Sequence, residues 1–225
     1  MSSDSRWHCA VRGVQRDAIG DEMTNTLCSV LVADPPWLFG DALPGKARGA
    51  VKHYRCLSTN DIVRFPLPEL ADDALLFLWR VASMQRSALA VMEAWGFGQP
   101  KSEICWVKLK QNADPGSPRI GMGRYVRNAH EVCLIGARGS ALRLIEDHGV
   151  PSVIQAPRGR HSEKPEAFYE AVERLCPSAN KAELFARRQR PGWTCLGDEV
   201  AGCDVDPRAI QEAFDHSMSV NKGRG

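Results

Sequence analysis

Short apolar runs with few polar residues inside them recur along the chain: Ser29 to Ala33 (SVLVA), Ala74 to Trp79 (ALLFLW), Ile104 to Val107 (ICWV), Val132 to Gly136 (VCLIG) and Ala182 to Ala186 (AELFA). Runs this short and this continuous predict strands buried on both faces, because a strand with one wet face would alternate apolar and polar positions. Between them the spacing changes. Met84, Ala88, Val91, Met92 and Trp95 recur at helical intervals, with Ser83 placed to cap the start and Gly96 the end. Phe168, Ala171, Val172 and Leu175 form a second such stripe, and Pro165 suits the first position of that helix, where a missing N–H costs nothing. Strands alternating with helices predict an α/β domain with a mainly parallel sheet covered on both faces and a ligand site beyond the carboxyl ends of the strands. Asp34 to Trp37 sits at such an end.

The ends of the chain lack this patterning. Residues 1–25 are polar without a clear period, and 216–225 read as a loose tail, which leaves one domain over 26–215. With 44% hydrophobic residues in a chain of 225, that domain can bury a core without disulfides or a structural metal. The eight cysteines form no CxxC pair and no Cys/His ligand spacing. They read as reduced thiols, which points to the cytosol, and no metal site is expected. No run approaches the roughly 18 apolar residues of a membrane span, so a soluble protein is expected. A formal net charge of +2 is too small to argue for a polyanionic partner, so the placement of charge has to carry that argument. Two common nucleotide fingerprints are missing: Leu43 to Lys46 lacks the upstream glycine and following Ser/Thr of a P-loop, and Gly121-Met122-Gly123 lacks the last glycine of GxGxxG.

Directly after SVLVA comes Asp34-Pro35-Pro36-Trp37. Each residue type suits attack by adenine's exocyclic amine on a sulfonium methyl. That amine is a poor nucleophile because its lone pair is delocalised into the ring. Acceptors beside its two N–H groups draw the nitrogen toward tetrahedral geometry and offset the charge that grows during attack. Asp34 offers a carboxylate oxygen and Pro35 a carbonyl held still by the restricted backbone of the Pro35-Pro36 pair. Trp37 is expected to stack on an unstacked base, for roughly 1–3 kcal/mol, the alternative being a rigid proline turn with Asp34 capping and Trp37 packed in the core.

With this motif the chain resembles the adenine-N6 methyltransferases that include the catalytic subunit of the mRNA adenosine methyltransferase and bacterial, phage and protist DNA enzymes. Further matches follow in the family's order: His53-Tyr54, Ser58 to Ile62 (STNDI), Leu76 to Trp79 (LFLW), Ala94 to Phe97 (AWGF), Cys105 to Lys108 (CWVK), Gly121 to Glu131 (GMGRYVRNAHE), Ser152 to Ile154, His161 to Pro165 (HSEKP), Glu183 to Arg187 (ELFAR) and Pro191 to Glu199 (PGWTCLGDE). They run from about Val30 to Val200. The resemblance implies a Rossmann-like fold that uses S-adenosylmethionine, in the permuted order with the catalytic motif ahead of the cofactor-binding strand. It implies that Asp34, Pro35, Pro36 and Trp37 form the catalytic motif, with Asp34 also near the cofactor's amino group. Lys164 is implied near the target base and the methyl donor. Arg187, Asp198 and Glu199 are implied at the cofactor's ribose and adenine, Tyr54 in a loop over the site, and Glu131 near the substrate. Asp198 departs from the Asn of many relatives, and Tyr125 stands where many carry Trp.

Two basic stretches should flank this edge: Lys46, Arg48, Lys52 and Arg55 after the motif, and Lys108, Lys110, Arg119, Arg124 and Arg127 before His130. Loops of this kind can track phosphates while Tyr54 or Tyr125 stacks on a base. The reading is therefore adenine-N6 methylation of DNA, by a monomer or homodimer. RNA methylation and a non-catalytic nucleic-acid-binding relative of the same fold are the alternatives.

Overall fold

The computed structural model describes residues 27–38, 56–111, 116–121, 125–159, 163–197 and 200. The polar segment 1–25 and the tail 216–225 lie outside these residues. The described strands are β1 (Cys28–Ala33), β2 (Leu70–Arg80), β3 (Ser102–Leu109), β4 (His130–Arg138), β5 (Val153–Pro157), β6 (Lys181–Leu184) and β7 (Trp193–Leu196). The helices are α1 (Thr59–Val63), α2 (Gln85–Ala94) and α3 (Glu166–Leu175), with short 3₁₀ turns at Ala82–Met84 and Ala141–Leu144.

The strands form one seven-stranded sheet in the order β5-β3-β4-β2-β1-β6-β7. All five strands expected from the apolar runs are present. The sheet is mixed rather than uniformly parallel: β4 runs antiparallel to both β2 and β3, while the other pairings are parallel. β5 and β7 are the strands that the apolar runs do not announce. In β5 only Ile154 and Ala156 are buried, and in β7 Thr194 is exposed between buried Trp193 and Cys195. Each lies at an edge of the sheet, and an alternation of four or five residues is too short to stand out.

Both faces are covered, as expected. Along β1, Val30 and Val32 join the core beneath α3 with Phe77, Trp79, Phe168 and Val172. Leu31 and Ala33 point the other way, into the core beneath α1 and α2 with Leu76, Leu78, Ile62, Val91 and Met92. That alternation explains the continuous apolar run, because neither face of β1 sees water.

The helix ends partly follow the sequence. Gly96 closes α2 as expected, at φ +83°, with its N–H on Glu93 O at 3.0 Å and Phe97 N–H on Met92 O at 2.9 Å. This pair of bonds is the Schellman arrangement, which needs a left-handed residue. Ser83 is not the cap: it lies inside the 3₁₀ turn, and Met84 precedes α2 without a side-chain cap. Pro165 is the cap residue of α3, one place before the expected first turn, and the helix starts at Glu166. Ser58 and Asp61 form a capping box at α1, inside the STNDI match.

Candidate active site

β1 lies between β2 and β6, all parallel, so their carboxyl ends share one edge of the sheet. The reversed direction of β4 brings its amino end to that same edge, with Arg80 opposite Val132 and Trp106 opposite Glu131. The chain entering α3 arrives there as well. Asp34, Glu131 and Lys164 therefore converge. Lys164 Nζ lies 2.6 Å from Asp34 Oδ2 and 3.3 Å from Glu131 Oε2. Lys108, near the end of β3, completes the chain of charge by pairing with Glu131 Oε1.

The lysine is only 9% exposed. Burial alone would pull its ammonium down, but the charges of Asp34 and Glu131 and their hydrogen bonds together hold it above the usual lysine range. Glu131 shows the mirror balance: burial pushes its carboxyl up, and Lys164 and Lys108 bring it below the ordinary carboxylate range. Two indoles form the floor. Lys164 Nζ sits 4.9 Å from the Trp79 ring centroid and Lys108 Nζ 5.2 Å from that of Trp106, while the two rings meet edge to face at 6.4 Å.

The Asp34 to Trp37 turn is tied down on several sides. Trp37 N–H donates to Pro35 O at 2.8 Å, Leu57 N–H donates to Pro36 O at 2.8 Å, and Leu38 N–H donates to Leu57 O at 2.9 Å. The Pro35 oxygen thus already accepts one bond and keeps a second lone pair. Trp37 corrects the sequence reading. It is 3% exposed and its indole N–H donates to Trp79 O at 3.0 Å, so it is a core side chain rather than a surface on which a base could stack.

Beyond β6 the backbone turns sharply. Phe185 adopts φ +61°, a conformation that costs a bulky residue roughly 1–3 kcal/mol. The turn is held by the Phe65 ring at 4.4 Å and by Ala186 N–H on Leu196 O at 3.0 Å. Gly197 packs so closely on Ala186 that a Cβ there would lie 2.0 Å from the Ala186 oxygen. Arg187, half-buried, follows this turn. Tyr125 is 92% exposed and Arg127 is exposed, both in the segment leading into β4. Lys46, Arg48, Lys52, Tyr54, Arg124, Asp198 and Glu199 lie outside the described residues.

The sequence singled out Asp34, Lys164 and Glu131, which the structure brings together, but not Trp79, Trp106, Tyr169 or Glu183, and Lys108 only as part of a basic loop. Glu183 did leave a signal, as the one acid inside an apolar run. It is 6% exposed and accepts from Tyr169 OH at 2.6 Å.

Residues 28–199 match the MT-A70 family over most of the chain. The chain belongs to the MT-A70 family. This is a family of N6-adenosine methyltransferases. Among individual relatives, the probable N(6)-adenosine-methyltransferase MT-A70-like of Oryza sativa subsp. japonica is 30% identical over 94% of this chain and 28% of its own length. The MT-A70-like N(6)-adenosine-methyltransferase of Drosophila melanogaster is 32% identical over 82% of this chain and 29% of its own. The chain thus spans under a third of these relatives. The type II methyltransferase M.MunI of a Mycoplasma species is 26% identical over 82% of both chains. Within the MT-A70 match, the Asp34 to Trp37 turn, Lys164 and the turn after β6 all fall on one sheet edge.

Proposed function

We propose that this MT-A70 chain transfers a methyl group from S-adenosylmethionine to the exocyclic N6 amine of adenine in DNA. The observation that carries the reading is the Asp34–Lys164–Glu131 cluster at the carboxyl end of β1, with the lysine 2.6 Å from Asp34. The residues present suit the donor, which bears a sulfonium, an ammonium and a carboxylate. Asp34 and Glu183 bring carboxyl groups to the edge, Lys164 brings a cation, and Gly197 lets the backbone approach closely. Asp34, Lys164 and Arg187 would hold the donor, joined by Asp198 and Glu199, and the donor would supply an electrophilic methyl group. In this reading the chain has the permuted order, with the catalytic motif on β1 ahead of the donor-binding strand β6.

The chain's own residues position and stabilise. Asp34 accepts from one N–H of the amine, and the free lone pair of Pro35 O accepts from the other; the surplus proton left on nitrogen after methylation departs along the Asp34 hydrogen bond to water. Lys164 remains a cation, because its carboxylate neighbours hold its proton, so it orients Asp34 and does not act as a base. Pro36 and Trp37 keep the turn rigid. Glu131 and Lys108 border the acceptor side. Lys46, Arg48, Lys52, Arg124 and Arg127 track phosphates, and Tyr54 and the exposed Tyr125 stack on bases.

DNA is favoured because the relative matched over 82% of both chains is a type II methyltransferase, a DNA enzyme. RNA is the second reading, supported by the relatives named N(6)-adenosine-methyltransferases. The test incubates the protein with labelled donor and matched single-stranded DNA, duplex DNA and RNA, then identifies the modified nucleoside by mass spectrometry. The expected product is N6-methyldeoxyadenosine, lost in Asp34→Ala while the circular dichroism spectrum is retained. Label found solely in RNA selects the second reading, and full activity in Asp34→Ala removes the mechanism.

A further inference from the structure

Glu183 costs the fold something that an apolar residue would not. It sits between Ala182 and Leu184, which face the core beneath α1 and α2, and points to the opposite face, against α3. Its register partner on β1 is Val32, so it shares a face with Asp34, two residues further on. A valine here would pack without desolvating a carboxyl group, and such replacements of buried ionisable groups are often neutral or stabilising.

Among the described residues this acid has an anchor, and no cation forms a salt bridge with it. From α3, Tyr169 OH donates to Glu183 Oε1 at 2.6 Å. The tyrosine is itself fixed by Phe168 at 5.3 Å, by Trp193 at 5.8 Å and by the Arg190 guanidinium 3.8 Å from its ring centroid. Arg188 and Arg190, after β6, act on Glu183 from a distance while both pair with Glu166. Asp34, at the end of β1, repels it, and β7 presents the buried thiol of Cys195 opposite it. Burial pushes the Glu183 carboxyl up, the tyrosine hydrogen bond opposes this, and Asp34 adds to the rise. An arriving cation is what would favour its charged form. Phe185, two residues on, holds a strained positive φ where β6 ends.

We infer that Glu183, oriented by Tyr169, is a donor-binding residue that meets a cationic group of the methyl donor beside Asp34. This rests on the donor reading above and adds a residue to it. Either the sulfonium or the ammonium could be the group met, and the two are separable because S-adenosylhomocysteine keeps the ammonium and lacks the sulfonium charge.

The experiment titrates the full chain calorimetrically with S-adenosylmethionine and with S-adenosylhomocysteine at several pH values from about 4 upward to about 8, with melting temperature followed in parallel. In the wild type, donor affinity should tighten as pH rises, because the carboxyl must lose its proton to meet the cation. Glu183→Gln keeps an acceptor for Tyr169, so the fold should survive. It should weaken the donor about tenfold at the upper pH and flatten the dependence. Weakening for S-adenosylmethionine alone assigns the sulfonium, and weakening for both ligands assigns the ammonium. Tyr169→Phe removes the hydroxyl that stabilises the charge, so its pH dependence should move upward. Wild-type uptake with both variants indistinguishable in affinity and pH profile overturns this inference alone. A wild type that takes up neither ligand, with or without oligonucleotide, overturns the donor reading and this inference with it.

Discussion

The indole of Trp37 is spent inside the protein, donating to the Trp79 carbonyl at 3.0 Å with 3% of the residue exposed. Its work is to pin the turn that carries Asp34 onto the end of β2. Trp37→Phe keeps an aromatic ring but leaves the Trp79 oxygen without its donor. It should cost about 1–3 kcal/mol in urea unfolding and leave oligonucleotide affinity within about twofold. A large loss of affinity with unchanged stability would restore the stacking role. Lys164 supports a second prediction, in which pH carries the sign. Glu131 has its folded pKa lowered, so the stability it contributes is present above its unfolded value and is lost as pH falls through the folded one. Lys164 has its pKa raised, so its contribution is complete below its unfolded value and is lost as pH rises through the folded one. Lys164→Met should therefore destabilise the protein strongly at neutral pH and much less in acid, where Glu131 is protonated in both proteins. A destabilisation equal at both pH values would show that the lysine matters for its packing and not for its charge.

At the scale of elements, what is legible in the sequence follows from burial. The central strands β1, β2 and β4 declare themselves because both faces are buried along runs that are almost wholly apolar. The edge strands β5 and β7 do not, since half of each is wet and each is short. The run VCLIG marks β4 but carries nothing about its direction, and that direction is what delivers Glu131 to Asp34. Asp34 and Lys164 could be picked out as letters in motifs, yet their contact joins residues 130 positions apart and exists only once α3 packs on the sheet. The Tyr169–Glu183 pair was invisible for the same reason. The turn after β6 offers a test at this scale. Gly197→Ala would set a Cβ 2.0 Å from Ala186 O and 2.6 Å from Ala186 N, and neither backbone atom can yield as a flexible side chain would. The turn carrying Arg187 must move. Stability should fall by about 1–3 kcal/mol, as in other overpacked sites, and donor affinity should fall more than about tenfold. Unchanged donor affinity in a destabilised Gly197→Ala protein would separate this turn from the donor site.

For the whole molecule the question is how the proposed nucleic-acid substrate would find one edge of a sheet when the net charge is only +2. Position answers better than total. Lys108 and Lys164 are neutralised within the site by Glu131 and Asp34, so they add little to the outward field. Lys110 and Arg119, by contrast, are exposed and stand close together, because Lys110 N–H meets Ser117 O and Arg119 N–H meets Lys108 O. They extend from the end of β3, on the same edge as Asp34. If each neutralises one phosphate, replacing both by Ala should make the slope of log affinity against log salt shallower by about 1.8 on duplex DNA, or about 1.4 on a single strand. Fluorescence anisotropy on matched oligonucleotides between about 50 and 200 mM salt measures this directly. The size of the change also reports strandedness, since the two forms release different numbers of counterions per contact. An unchanged slope would place the nucleic acid on another face and leave the loops before and after the site as ordinary solvated segments.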